Sequence, residues 1–247
     1  PAIRERLAAL ARYLDLPGQK TESVVEWILA LRKQIGIPHT LKEIGFDTDV
    51  VAQAAPMAEK DPSTGGNPVP LKAMGRFKRE AACVDPRTGV VYMTEDTADS
   101  LLYRFIPDVP GELVKGGRLQ ALGFADAPEG CDTRNWKGAV GMVQGDWRNA
   151  RWIDLVDPES PEDDLRLRGA KAGAAVFARG EGIFWGRGEL YFTCTSGGAK
   201  GLGQIMRYVP SQREGRPDEG DAPGKAQLFL ESADAAVLDY ADNIAIA

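Results

Sequence analysis

A repeat constrains this chain more than any other feature. Glu80-Ala-Ala-Cys-Val84 leads through the turn Asp85-Pro-Arg-Thr-Gly89 into Val90-Val-Tyr-Met-Thr-Glu95, then Leu102-Tyr-Arg-Phe-Ile-Pro107, then Leu119-Gln-Ala-Leu122. The same grammar returns as Glu181-Gly-Ile-Phe-Trp185, the turn Gly186-Arg-Gly188, Glu189-Leu-Tyr-Phe-Thr193, Ile205-Met-Arg-Tyr-Val-Pro210 and Leu228-Phe-Leu-Glu231. A third copy begins at Asp242-Asn-Ile-Ala-Ile-Ala247. Apolar residues alternate along these segments, which is the period of strands with one face buried. Strands are expected at 81–84, 90–94, 101–106, 119–124, 151–155, 183–185, 189–195, 204–209 and 227–230. Short antiparallel strands repeating in fours are the pattern of propeller blades, which must stack on neighbours to bury both faces. The spacing of the copies calls for either long loops or an intervening blade, for which Arg151-Trp-Ile-Asp-Leu155 is a candidate. The residues present supply two to three blades, fewer than the ~4 a closed propeller needs. The stretches 156–173 and 211–225, rich in Pro, Gly and acids, read as surface loops.

The first 62 residues have a different period. Ile3, Leu7, Leu10, Ala11 and Leu14 form a helical stripe that Pro17-Gly18 ends. Ser23-Val-Val-Glu26 reads as a capping box opening a helix with Val24, Trp27, Ile28, Leu31 and Ile35 buried. Thr40-Leu-Lys-Glu43 reads as a second capping box, and residues 49–60 as a last helix with Pro56 as a kink. The expected fold is therefore α+β overall, a short N-terminal helical segment (1–71) followed by an all-β, partial β-propeller (72–247). The changeover falls near Leu71-Lys72.

Composition narrows the function classes. A net charge of −6 with mixed signs argues against a nucleic-acid surface. No run approaches the ~18 apolar residues of a membrane span. Cys83, Cys131 and Cys194 form no C-x-x-C, so neither zinc nor a disulfide framework is indicated. The single histidine, His39, stands just before a capping box and reads as a capping or packing residue.

The repeat also places chemistry. Glu80, Glu181 and Asp242 each stand just before the first strand of a copy. Innermost strands of stacked blades converge, so these acids would point at one place. Clustered carboxylates repel one another unless a cation lies among them, and carboxylates without histidines suit a hard cation such as Ca²⁺. Glu95 and Asp96 add oxygen donors. Arg179 lies two residues before Glu181, on the same side of an extended chain, where a guanidinium beside a carboxylate can cradle a phosphate. Arg76, Lys78 and Arg79 read as a solvated basic run, and Arg104 and Arg207 as partners for neighbouring acids.

Several of these stretches, in order, resemble one family. Met74-Gly-Arg-Phe-Lys-Arg-Glu80, Tyr92-Met-Thr-Glu-Asp96, Tyr103-Arg-Phe-Ile-Pro107, Phe177-Ala-Arg-Gly-Glu-Gly182 and Ala241-Asp-Asn243 look like the PhoX-type alkaline phosphatases. The resemblance covers residues 72–247. It implies a six-bladed propeller that hydrolyses small phosphate esters at a calcium and iron cluster, in a periplasmic or secreted enzyme. Glu80, Glu181, Asp242 and Glu95 would then be metal ligands. Arg179 and Glu181 would be catalytic, with Arg179 on the phosphate. The chain departs from the family at Arg79, where a histidine is usual, and in lacking an upstream cysteine-bearing blade that supplies an iron ligand.

Residues 1–71 have another likeness. Leu31-Arg-Lys-Gln-Ile-Gly-Ile-Pro-His-Thr-Leu-Lys-Glu-Ile-Gly45 and Asp61-Pro-Ser-Thr-Gly-Gly-Asn-Pro-Val-Pro70 resemble the C-terminal helices of iron-dependent (group III) alcohol dehydrogenases. That family's nucleotide-binding glycines and metal ligands lie outside the matching region, so no NAD is expected here. The chain begins at Pro1 without Met and ends within an alternating segment, which suggests an excerpt of something longer. The alternatives to a truncated phosphatase are a calcium-binding partial propeller without turnover, or a dehydrogenase remnant fused to one.

Overall fold

The structure is a computed structural model that describes residues 2–37 and 69–246. Two compact units divide after Val69. In the first, α1 (Ala2–Tyr13) and α2 (Thr21–Gln34) pack through Leu7, Ala11, Leu16 and Val24. α2 begins two residues before the expected capping box. Ser23 is its third residue; its hydroxyl donates back to the Pro17 carbonyl (2.5 Å) and accepts from the amide of the N-cap residue Lys20 (3.3 Å). The buried stripe expected on α2 is also mostly exposed. Trp27, Ile28, Leu31 and Ile35 face solvent, because a pair of helices seals only the single seam around Val24. His39, the capping box at 40–43 and the helix read at 49–60 lie outside the described residues.

The second unit is mostly β. The strands are β1 (Arg79–Val84), β2 (Val91–Glu95), β3 (Tyr103–Pro107), β4 (Gly117–Phe124), β5 (Cys131–Asp132), β6 (Trp147–Asp154), β7 (Ala175–Val176), β8 (Gly180–Gly186), β9 (Glu189–Cys194), β10 (Gln204–Val209) and β11 (Lys225–Glu231). β1–β4 form one antiparallel meander and β8–β11 a second. β6 pairs antiparallel with both β4 and β11, which makes one sheet of nine strands. Its end strands, β1 and β8, lie against each other, so the sheet nearly closes. The stretch 151–155 is thus part of a single bridging strand and not a blade of its own. β5 and β7 form a separate parallel pair.

Local sequence explains the hairpins. Asp85 is buried and its carboxylate accepts from the Arg87 amide (2.8 Å) and the Thr88 hydroxyl (2.9 Å), fixing the β1–β2 turn. Between β8 and β9, Arg187 and Gly188 both have positive φ (55° and 83°), the backbone of a two-residue hairpin that keeps the strand twist.

Each meander stacks one face on its neighbour. Tyr92, Leu102 and Leu122 of the first share a core with Leu190, Phe192, Cys194 and Met206 of the second. The opposite face of the first, with Met93, Tyr103 and Phe105, is covered by Met74, Ala174 and Leu165. Leu165 opens α3 (Leu165–Lys171), which corrects the reading of 156–173 as a plain surface loop. Seven residues are too few to show a helical period. Gly169 lets this helix lie close, since a Cβ there would stand 2.6 Å from Leu101.

The loop at 211–225 is also more than surface. It inserts Glu214, fully buried, between the meanders. Glu214 pairs with the Arg104 guanidinium of β3 and accepts from the hydroxyls of Tyr92 and Tyr208 and from the Ser211 amide. Arg104 also donates to Glu219 and Gln120 and lies over the Trp152 ring (4.3 Å). Its repeat counterpart, Arg207, pairs with Glu189 at a partly exposed position. Removing one partner of a buried pair strands the other charge. Arg104→Ala should therefore cost about 3–5 kcal/mol in urea unfolding, and Arg207→Ala about 1 kcal/mol or less.

Candidate functional site

The edge where β1 meets β8 gathers the repeated charged residues. Both strands carry a bulge at the same place, between Arg79 and Ala82 in β1 and between Gly180 and Ile183 in β8. Each bulge holds the acid of its copy, Glu80 or Glu181. Bulges re-aim side chains, and here they turn the strand starts toward a shared edge.

Hydrogen bonds show how closely the copies correspond. The Thr94 hydroxyl faces the carbonyls of Ala81 in its own meander and Glu181 in the next (2.5 Å to the latter). Thr193 stands in the same relation to Gly182 and Asp242. The Asp96 amide donates to the Lys78 carbonyl, and the Thr195 amide to the Arg179 carbonyl. Lys78 is thus the counterpart of Arg179, and Asp242 takes the position after the second meander that Glu181 takes after the first. The segment Asp242–Ile246 lies against Gly182 and Gly186, where a Cβ would crowd its backbone at 182 and Ile246 at 186. It forms no ladder strand.

Asp96 is the centre of the group. One oxygen accepts from Arg179 Nε (2.7 Å) and the other from Lys78 Nζ (2.9 Å). Arg179 Nη2 continues to Glu181 Oε1 (3.0 Å). The guanidinium is held at both sides, and its Nη1 has no acceptor among the described residues. Arg179 has φ +53°, an unusual backbone for a residue with a Cβ, and its amide is fixed on the Thr97 carbonyl.

The electrostatics follow the geometry. The hydrogen bond from Arg179 holds the Asp96 carboxyl below the usual range. The same bond raises the Arg179 guanidinium above its ordinary value. Glu181 is nearly buried, and its carboxyl is pushed up to about 7 by that burial and then by the charges of Asp96, Glu80 and Asp242, against the pull of Arg179. Glu181 therefore feels the charges of both Glu80 and Asp242 across the edge.

Glu95 does not join them. Strand alternation sends Tyr92 and Thr94 to one face of β2 and Met93 and Glu95 to the other, where Glu95 Oε2 accepts from the Tyr103 hydroxyl (2.7 Å) and the Leu101 amide. Its counterpart in the second copy is the buried Cys194, by equivalent pairing with Arg79 and Gly180. Arg79 turns away as well. It donates to the Met74 carbonyl and lies over Phe77 (4.8 Å), which stacks on Tyr103. Arg76 is fixed on the carbonyls of Ser160 and Pro161. The basic run is thus solvent-exposed, as read, but each member is also anchored, with Lys78 at the site. Extending the repeat alignment two residues upstream of the acids would have exposed the Lys78–Arg179 match.

The group does not fit a metal centre as it stands. Among the described residues, no three Asp, Glu, Cys or His side chains are gathered to hold an ion. The Arg179 guanidinium itself bridges Asp96 and Glu181, where a cation would sit. Among the same residues no helix is long and apolar enough to cross a membrane.

Burial of Glu95 generates a testable pH effect. Its carboxyl is pushed up to about 7, chiefly by desolvation. The folded state then binds a proton that the unfolded chain has already released, so stability falls as pH rises from about 4.5 to 7. Glu95→Gln should remove that loss. The variant should melt higher than the parent above pH 7, by up to about 3 kcal/mol, and the gap should close near pH 4.5.

A family model described as alkaline phosphatase PhoX matches residues 37–247. The match begins inside the segment read as dehydrogenase-like and well before Leu71-Lys72. A solved structure, Pseudomonas fluorescens PhoX in complex with vanadate, a transition state analogue, is 23% identical, with a TM-score of 0.48. The alignment covers 69% of this chain and 34% of that one, so the chain spans about a third of its length. No curated protein matches the chain.

Proposed function

Because the chain belongs to the PhoX alkaline phosphatase family, we propose that it carries part of a phosphate-monoester hydrolase site, with Arg179 as the phosphate-binding residue. The observation that carries this reading is a guanidinium held by two carboxylates with one amino group left free. A guanidinium fixed in this way presents Nη1 to a phosphoryl oxygen without first losing side-chain freedom. Asp96 orients it, and Lys78 adds positive charge beside the same carboxylate.

Glu181 gives the clamp a pH dependence. Below about 7 its carboxyl holds a proton and its pairing with Arg179 is weakened. Above about 7 it is ionised and secures the guanidinium, which suits hydrolysis on the alkaline side. Calcium and iron, implied by the family resemblance, would supply electrophilic stabilisation of the phosphoryl group. The described side chains by themselves do not form a group that fits an ion.

In fold terms we read the two meanders as consecutive propeller blades with a third begun at Asp242. The matching bonds of Thr94 and Thr193 support this. The segment 1–71 is read as a separate piece; the unit boundary after Val69 supports that division, while the family match from residue 37 runs across it.

Hydrolysis of p-nitrophenyl phosphate, with Ca²⁺ and iron supplied, tests the reading. The rate should rise with pH through about 7. Arg179→Gln should lower kcat/KM by about 100-fold or more. Glu181→Gln should flatten the pH profile. Unchanged turnover in Arg179→Gln would remove Arg179 from the site.

A further inference from the structure

A cavity of about 690 Å³ opens between β4, β6 and the loop at 211–223, and none of the residues grouped around Arg179 lines it. Its volume lies within the range of small-molecule sites. Trp152, Pro217 and Pro223 give it apolar walls, and Arg118 and Arg216 bring two guanidinium groups to it beside that of Arg104. On a chain with net charge −6 this is a local concentration of positive charge.

These cations are not used up by the fold. Arg216 is exposed, and its guanidinium has no acceptor among the described residues. Arg118 is about half exposed and reaches Asp154 and the Gly215 carbonyl only at 3.4 Å. Arg151 is different: it leaves the face of β6 opposite Trp152, and its Nη2 donates to the Pro128 carbonyl (2.7 Å). The acids nearby are already engaged. Glu219 accepts from both Arg104 amino groups and from the Gly215 amide, and Asp154 accepts from Gln120. The floor is rigid, because Arg104, held by Gln120, Glu214 and Glu219, lies over Trp152.

The geometry points to a binding site for a small organic oxyanion, its phosphate or carboxylate head between Arg118 and Arg216 and its apolar body against Trp152 and the two prolines. The site is separate from Arg179 and does not depend on the phosphatase reading. Calorimetric titration of the full chain in an Arg179→Gln background, which disables the first site, tests it with phenyl phosphate, benzoate and inorganic phosphate as probes. Saturable binding of phenyl phosphate or benzoate is expected, and their ratio reports the preferred head group. It should weaken about fivefold or more in Arg118→Gln and in Arg216→Gln and fall with added salt. Both substitutions are at exposed positions, and unchanged melting curves will show that the fold is intact. Absence of binding by both organic probes, or affinity unaltered in both variants, would overturn the assignment. So would inorganic phosphate binding as tightly as the organic probes.

Discussion

The second unit depends on one charge buried between its two meanders. Arg104 leaves β3, crosses the interface and meets Glu214 on a loop of the other meander, with both side chains almost fully buried. Neither charge could stay there alone, since an isolated buried ion is far costlier than a paired one. The pair therefore ties the loop at 211–219 to the first meander. Tyr92, Tyr208 and the Ser211 amide complete the acceptor shell of Glu214. At the other end of the same interface the Thr94 hydroxyl meets the Glu181 carbonyl. These two anchors fix the register of one meander on the next. That register brings Arg179 and Asp96 within 2.7 Å of each other.

The nine strands of the main sheet were legible because alternation over a half-buried face leaves a period of two. The repeat predicted the pairing of acids with strand starts, and both acids sit in equivalent bulges. Less was legible where burial depends on distant partners. Glu214 lies in a stretch of Pro, Gly and charge, and its partners Arg104, 110 positions away, and Tyr92 make it a core residue. α3 is too short to show a helical period, and its Leu165 is buried by tertiary packing. Glu95 was misleading for a related reason. It adjoins Asp96 in sequence, but neighbours on a strand face opposite ways, and its second-copy counterpart, Cys194, already marks that position as core.

The two copies also differ where chemistry would need them to. Lys78 and Arg179 are equivalent, and both reach Asp96. The residue that follows is Arg79 in one copy and Gly180 in the other. Gly180 lies so close to the first meander that a Cβ would stand 3.3 Å from the Glu95 carbonyl and the Thr94 side chain. A glycine there permits the contact, and Arg179 just before it takes a positive φ to reach across. Arg79 has no such neighbour among the described residues and folds back over Phe77. The edge of the first copy is thus spent on packing, while the edge of the second carries a guanidinium with a free amino group. A repeat alone would yield two equal half-sites. The change from Arg79 to Gly180 leaves one copy with a guanidinium held across the edge and the other with a lysine on the same carboxylate.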